Sequence, residues 1–238
     1  MVYSNQSRLL VGLLLLITVF LSFILNLDYL LIFLIFICAT FDFYKIKVFK
    51  NLYLIISPIL VTLFFLFIPD QIYKIIFFLQ IILITLIIFS SKYKIEFFLI
   101  SVYAFCLILF YITSIDRNLL YLIIFISFFN DTVAYIFGKT IGGPLILPNI
   151  SPKKTWSGTV LSISITSFLL FYINSNVLLS LIIAIFLFIG DIFFSYIKRY
   201  LKIKDFSSLL GGHGGMLDRL DSMYFIPVIL NIYLLFFK

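Results

Sequence analysis

Four side chains around residue 195 are of types that bind cations and phosphates. Asp191, Ser195 and Lys198 are spaced i, i+4 and i+7, so a helix would place them on one face, which Arg199 adjoins. Asp191 lies inside the apolar run 177–197, where a carboxylate is costly unless it is paired, hydrated or bound to a cation. The alternative is a structural aspartate beside two basic residues that only anchor the helix end.

A second group follows at residues 211–221, which read G-G-H-G-G-M-L-D-R-L-D. Asp218 and Asp221 are spaced i, i+3 and face the same way if a helix begins there. Together with Asp191 they predict an oxygen-ligand metal site, because Mg²⁺ prefers carboxylates, waters and substrate phosphates. The glycines around His213 let backbone N–H groups approach an anion closely, and zinc is disfavoured because this is the chain's single histidine.

Basic residues near both groups could hold phosphates, namely Lys198, Arg199, Lys204 and Arg219. Upstream, S-P-K-K-T-W at 151–156 offers Lys153 and Lys154 to a nucleotide phosphate or to anionic lipid headgroups. Trp156 is either an interfacial anchor or part of a binding site. Asn130 and Asp131 precede Gly138, Gly142 and Gly143, and these glycines permit either close helix packing or close approach of a ligand.

The composition shows what must position these residues. Of the 238 residues, 64% are hydrophobic and only 11% are charged, against roughly 45–50% and 25% in soluble domains. This composition excludes three classes of protein: an ordinary cytosolic enzyme, a disordered chain and a secreted disulfide scaffold. The net charge of +7 does not indicate nucleic acid binding, because no basic run is dense enough. Cys38 and Cys106 lie in apolar runs and are interpreted as small membrane hydrophobes.

The polar interruptions define nine apolar segments, which predict an all-α, polytopic integral membrane protein with about nine transmembrane helices. These segments are 9–26, 28–44, 51–69, 75–91, 97–114, 119–137, 157–173, 177–197 and 221–237. Short polar turns at 26–28 and 174–176 predict tight helical hairpins. The first segment has no small-residue cleavage site after it and is interpreted as a retained helix. The acidic residues at segment edges are expected to lie in solvent: Asp42, Asp70, Asp116 and Glu96.

Nine segments also predict an orientation. Fourteen of the seventeen Lys and Arg residues then fall on the side of the N-terminus, so that side is expected to be the cytoplasm. Both long loops, 138–156 and 198–220, lie on this side. We therefore expect a scaffold of about five helices at 1–118 and a catalytic membrane region at 119–238.

The spacing of these motifs resembles that of the phosphatidate cytidylyltransferases, the CDP-diacylglycerol synthases. Residues 195–221 read S-Y-I-K-R-Y-L-K-I-K-D-F-S-S-L-L-G-G-H-G-G-M-L-D-R-L-D, against a family pattern of S-x-x-K-R, four residues, K-D and then H-G-G-x-x-D-R-x-D. N-D-T-x-A-Y-x-x-G at 130–138, S-P-K-K-T-W and Gly190-Asp191 are also similar, so the resemblance covers about 129–224. The chain departs from the common pattern at Ser157, Ser207 and Gly211, where many members have Glu, Gly and Pro.

The resemblance implies a reaction in which phosphatidic acid attacks the α-phosphorus of CTP, giving CDP-diacylglycerol and pyrophosphate. It implies Mg²⁺ as cofactor, with K⁺ at a possible second cation site. The implied metal ligands are Asp191, Asp218 and Asp221. These three act in catalysis with His213, Lys198 and Arg219. The implied substrate-binding residues are Asn130, Asp131, Lys153, Lys154, Ser195, Arg199, Lys204, Asp205, Gly214 and Gly215.

The family precedent also implies a location in the inner (cytoplasmic) membrane, an active site that faces the cytoplasm, and a homodimer. Three alternatives remain open. The chain could use CTP with another lipid phosphate or a polyprenol, or it could be an inactive relative. An ion transporter built around intramembrane acids is the third, although transporters often carry internal repeats and none is visible here.

Overall fold

The computed structural model describes residues 5–46, 70–90 and 93–237. These ranges contain nine α-helices and one antiparallel strand pair. The elements are α1 (Asn5–Ile24), α2 (Asp28–Lys45), α3 (Asp70–Phe89), α4 (Lys94–Ile115), α5 (Arg117–Thr140), β1 (Leu145–Leu147), β2 (Ser151–Thr155), α6 (Trp156–Asn174), α7 (Val177–Tyr200), α8 (Leu217–Leu220) and α9 (Ile226–Phe237). Two short 3₁₀ turns, Gly211–His213 and Met223–Phe225, flank α8.

The chain is an all-α membrane protein in its main architecture. In the described ranges, α4, α5, α6 and α7 are each long and apolar enough to cross a membrane. Helices α1, α2 and α3 coincide with three further predicted segments, whereas the predicted segment 51–69 lies outside the described residues. The count of nine spans and the orientation of the N-terminus therefore stay predictions.

Two local expectations differ from the structure. The segment 221–237 does not form one helix, because α8 ends at Leu220 and α9 begins at Ile226. Pro227 explains the break, since proline is tolerated in the first turn of a helix but disrupts its interior. The predicted loop 138–156 contains the β1–β2 hairpin, in which Leu145 pairs with Thr155 and Leu147 with Ser151.

The structure divides into two compact units. The first comprises Met1–Tyr121 and Asp205–Arg219, and the second comprises Leu122–Lys204 and Leu220–Lys238. The loop that carries the glycines and His213 thus belongs to the same unit as the N-terminal helices. The division into scaffold and catalytic regions concerns function and stays a prediction.

Aromatic packing and a tight turn organise the first unit. Phe43 of α2 packs edge-on against Phe98 of α4, and Phe98 stacks on Phe206 with their centroids 5.9 Å apart. The predicted hairpin at 26–28 is confirmed, because α1 ends at Ile24 and α2 begins at Asp28. Arg117 stabilises this turn by pairing with Asp28 at 3.0 Å.

Close backbone contacts organise the second unit. A Cβ on Gly158 of α6 would lie 2.9 Å from the Cα of Gly138 in α5, so both glycines serve close helix packing. The predicted turn at 174–176 is confirmed, because Ser175 adopts a left-handed conformation and Asn176 caps α7 by accepting from Leu179 N. Phe193 stacks on Tyr224 at 5.8 Å and joins α7 to the segment before α9.

Candidate active site

The β1–β2 hairpin brings a lysine onto the predicted carboxylate of α7. Lys154 Nζ forms an ion pair with Asp191 Oδ2, and the two side chains are 22% and 25% exposed. Ser195 Oγ donates to Asp191 Oδ1 at 3.4 Å from the next turn of the helix. The neighbouring Lys153 is exposed, because successive residues of a strand point in opposite directions. The structure thus confirms a shared face for Asp191 and Ser195 and adds Lys154 to it.

A second ion pair joins the same helix to the segment that follows α8. Lys198 Nζ is 3.9 Å from Asp221 Oδ2, with side-chain exposures of 11% and 12%. Gly190 makes this possible, since a Cβ there would lie 2.9 Å from the carbonyl oxygen of Ser222. The backbone at 221–222 therefore packs directly on α7, and the carboxylate of Asp221 lies beside the C-terminal part of that helix.

A buried polar network extends this group into α5. Ser222 Oγ donates to Asp131 Oδ2 at 3.3 Å and lies 2.5 Å from Ser127 Oγ. The neighbouring Asn130 is buried and accepts from Thr166 Oγ1 at 3.3 Å. Asn130 and Asp131 thus hold α5 against its neighbours in the second unit, and their predicted binding of substrate stays a prediction.

Arg199 fixes the hairpin to the end of α7. Its Nε donates to the carbonyl of Ile150 at 3.1 Å, and its Nη1 donates to the carbonyl of Ile203 at 3.0 Å. The side chain remains exposed at the surface. This arrangement supports a positioning role beside the phosphate binding that the sequence predicts.

Ser157, one of the positions at which the sequence departs from the motif pattern, lies at the base of the hairpin. Its Oγ donates to the carbonyl of Gly142 and lies 3.2 Å from Thr155 Oγ1. Thr155 in turn caps α6 by accepting from Gly158 N at 3.3 Å. The serine therefore closes the base of the hairpin through hydrogen bonds.

In the first unit, Asp218 organises the glycine-rich loop. Its Oδ2 accepts from the backbone N–H groups of Phe206 and Gly215, each at 2.9 Å. Gly214 has a φ of +81°, and a Cβ there would lie 2.7 Å from the same oxygen. A side chain at position 214 would therefore be strained by the backbone conformation and would clash with the carboxylate of Asp218. The backbone of His213 ends a 3₁₀ turn, and its side chain lies outside the described part.

Asp42, which no motif of the sequence includes, contacts both ends of the glycine-rich loop. We expected it to lie in solvent at a membrane edge, and this is wrong because Asp42 is fully buried. Its Oδ1 accepts from Ser207 Oγ at 2.5 Å, and its Oδ2 accepts from Leu217 N at 2.8 Å. The available signal was its place inside an apolar run, between Phe41 and Phe43. The same signal had singled out Asp191.

The remaining predicted residues are less enclosed. Lys204 and Asp205 are exposed, and Arg219 is half-buried.

Asp116 is exposed as expected, and it accepts from Asn118 N at 2.9 Å at the start of α5. Glu96 is half-buried, and the side chain of Asp70 lies outside the described part.

The donor chemistry fits Mg²⁺, because Asp191, Asp221 and Ser195 present only hard oxygen ligands. Each of the two carboxylates is paired with a lysine in the second unit. Within residues 5–46, 70–90 and 93–237, no three His, Cys, Asp or Glu side chains are grouped so as to hold a metal ion. The three-aspartate ligand set therefore stays a prediction from the motif.

The chain belongs to the cytidylyltransferase family, whose model it matches over residues 6–237. It is 37% identical over 131 residues to a phosphatidate cytidylyltransferase of Rickettsia conorii, covering 48% of this chain and 57% of that protein. The corresponding protein of Staphylococcus haemolyticus is 39% identical over 115 residues, 44% of each chain. That of Rickettsia typhi is 34% identical over 165 residues, 61% of this chain and 72% of the relative. The chain thus spans about half the length of the first two relatives.

Lys154 is expected to matter more than Lys153 for nucleotide binding. Lys154→Met removes the ammonium group next to Asp191, so we expect kcat/KM for CTP to fall about tenfold, the effect of losing one charge-assisted hydrogen bond. Lys153→Met is the matched control, and its exposed position predicts a smaller fall. Initial rates at varied CTP concentration measure both. A larger loss in the Lys153 variant would contradict the assignment.

Proposed function

We propose that this chain transfers the cytidylyl group of CTP to phosphatidic acid, giving CDP-diacylglycerol and pyrophosphate. Two ion pairs carry the proposal, in a chain of the cytidylyltransferase family. Asp191 of α7 pairs with Lys154, and Lys198 of the same helix pairs with Asp221. Relatives that match the chain bear the name phosphatidate cytidylyltransferase. Their name supports the lipid substrate.

The reaction asks for charge neutralisation and alignment more than for covalent chemistry. A phosphate oxygen of phosphatidic acid forms a bond to the α-phosphorus of CTP. The bond from that phosphorus to the bridging oxygen breaks, and pyrophosphate leaves with the electron pair.

Lys154 and Lys198 are the residues best placed to receive phosphate oxygens. The side chains of Lys154 and Lys198 are 22% and 11% exposed, and each forms an ion pair with an aspartate. A lysine that is already fixed and partly desolvated loses little freedom when it binds an anion. Arg199 keeps the hairpin that carries Lys154 against the end of α7.

Mg²⁺ would supply further neutralisation of the triphosphate charge. The motif assigns it to Asp191, Asp218 and Asp221, with K⁺ as the possible second cation. This assignment rests on residue types and on the resemblance. The proposal places the active site at the cytoplasmic face of the inner membrane, where a lipid headgroup meets a soluble nucleotide, and it includes about nine spans, an N-terminus inside and a homodimer.

The purified protein in detergent micelles is expected to form CDP-diacylglycerol when supplied with CTP, Mg²⁺ and phosphatidic acid. Radiolabelled CTP followed into the lipid fraction, together with pyrophosphate release, measures the reaction. A polyprenyl phosphate serves as the competing acceptor. Activity with the polyprenyl phosphate alone would contradict the phosphatidate assignment, and no transfer to either acceptor would contradict the proposed function.

A further inference from the structure

Asp42 lies outside every motif of the sequence, yet it contacts the loop that carries G-G-H-G-G. We propose that Asp42 and Ser207 form a positioning pair that holds this loop in its binding conformation. The inference rests on the proposed function, because it assigns the pair a role in binding the nucleotide.

Asp42 joins the two ends of the loop. Ser207 donates its hydroxyl to one carboxylate oxygen at 2.5 Å, and Leu217 donates its backbone N–H to the other at 2.8 Å. Between these two points Ser208 and Leu209 are exposed and Leu210 is half-buried, and the hydrogen bonds there run within the loop itself, such as Leu210 N to the carbonyl of Gly214 at 2.9 Å. One buried side chain of α2 therefore fixes where the loop starts and where it ends.

Asp218 makes a second connection of the same kind, displaced by one residue at the start of the loop and by two residues at its end. It binds the backbone of Phe206 and of Gly215 through one oxygen. The contacts of the two aspartates alternate along the loop, at residues 206 and 215 for Asp218 and at 207 and 217 for Asp42. Loss of either carboxylate removes two of the hydrogen bonds that hold the loop ends.

The residues around Asp42 and Ser207 are closely packed. A Cβ on Gly215 would collide with the carboxylate of Asp42, so a glycine is required at this position. Phe206 is 3% exposed and stacks on Phe98, which also contacts Phe43, the residue after Asp42. The end of α2, the start of the loop and the pair Gly214-Gly215 thus pack against one another.

The consequence for function follows from preorganisation. A loop contributes most to ligand binding when its backbone is held in position before the ligand arrives. Here the backbone N–H groups of Gly211, Gly214 and Gly215 already donate within the protein, which fixes the shape of the loop. The hydroxyl of Ser207 supplies a contact to Asp42 that a residue without a side-chain donor would not supply at this position. We therefore expect the pair to affect CTP binding rather than the acceptor lipid.

The variant Asp42→Asn distinguishes a positioning role of the Asp42 side chain from a role of its negative charge. Its amide oxygen can accept from Leu217 N while its NH₂ group donates to Ser207 Oγ, so both contacts survive without the negative charge. Asp42→Asn should therefore keep most of the activity. Asp42→Ala removes both contacts and should raise the KM for CTP about tenfold, with little change in the KM for phosphatidic acid.

The experiment compares Asp42→Asn, Asp42→Ala, Ser207→Ala and the variant with both alanines. Ser207→Ala is the milder change, and it keeps the test open if Asp42→Ala folds poorly. Since the two residues share one hydrogen bond, the double variant should lose less than the sum of the two single losses, although Ser207→Ala also removes the contact of Ser207 Oγ with Leu209 N at 3.1 Å. Hydrogen exchange at Gly215 and Leu217 is measured in the same samples, and it should rise in Asp42→Ala but not in Asp42→Asn.

Each result has a distinct meaning. Equal losses in Asp42→Asn and Asp42→Ala would show that the charge matters and would overturn the inference, as would unchanged exchange in Asp42→Ala and Ser207→Ala. Faster exchange with an unchanged KM for CTP would overturn the link to nucleotide binding. A wild-type protein without transferase activity would overturn the proposed function, while the exchange data would still decide whether Asp42 positions the loop.

Discussion

Replacing Asp218 with asparagine is expected to reduce cytidylyl transfer by at least about 100-fold, the scale of losing one charged group that stabilises a transition state. The oxygen of Asp218 that accepts from Phe206 N and Gly215 N has an equivalent in the amide of asparagine. These two contacts should therefore survive while the negative charge is lost. Rates measured at increasing Mg²⁺ concentration test this, because a weakened cation site should need more Mg²⁺.

Asp116→Asn is the matched control for this experiment. Asp116 is exposed and caps the start of α5 by accepting from Asn118 N, which an asparagine can also do. Its activity and its Mg²⁺ dependence should equal those of the wild type. Near-wild-type turnover of Asp218→Asn would show that the carboxylate serves only to organise the loop, and the metal assignment would then fail.

The structural features that the sequence predicted correctly depend on neighbours in the chain. Asp191 and Ser195 share a face because a helix repeats every 3.6 residues, and the structure places the serine hydroxyl 3.4 Å from the carboxylate. The hairpins at 26–28 and 174–176 followed from short polar interruptions between long apolar runs. In each case the physical cause lies within a few residues.

The features that could not be predicted depend on distant parts of the chain. Lys154 contacts Asp191 because the β1–β2 hairpin folds back on α7, and nothing in S-P-K-K-T-W states which lysine will do so. Asp42 contacts a serine 165 positions away. Its place between Phe41 and Phe43 indicates that burial is possible, but nothing near it in the sequence states which distant group would meet the carboxylate.

Gly190→Ala is expected to damage the second unit severely. Its Cβ would lie 2.9 Å from the carbonyl oxygen of Ser222 and closer still to that of Asp221. These are backbone atoms, so they cannot rotate away as the end of a side chain could. The segment 221–222 must move off α7, and overpacking of this kind costs about 1–3 kcal/mol.

The same displacement would separate Asp221 from Lys198 and disturb the contact of Ser222 with Asp131. We therefore expect Gly190→Ala to lower the thermal unfolding temperature in detergent and to reduce transferase activity at least about tenfold, because misplaced groups lose the benefit of alignment. Ile189→Ala is the control, since its exposed side chain on the same helix can be shortened without moving the backbone at 221–222. If Gly190→Ala unfolds at the wild-type temperature and turns over normally, the close packing of 221–222 on α7 is not what places Asp221 for the reaction.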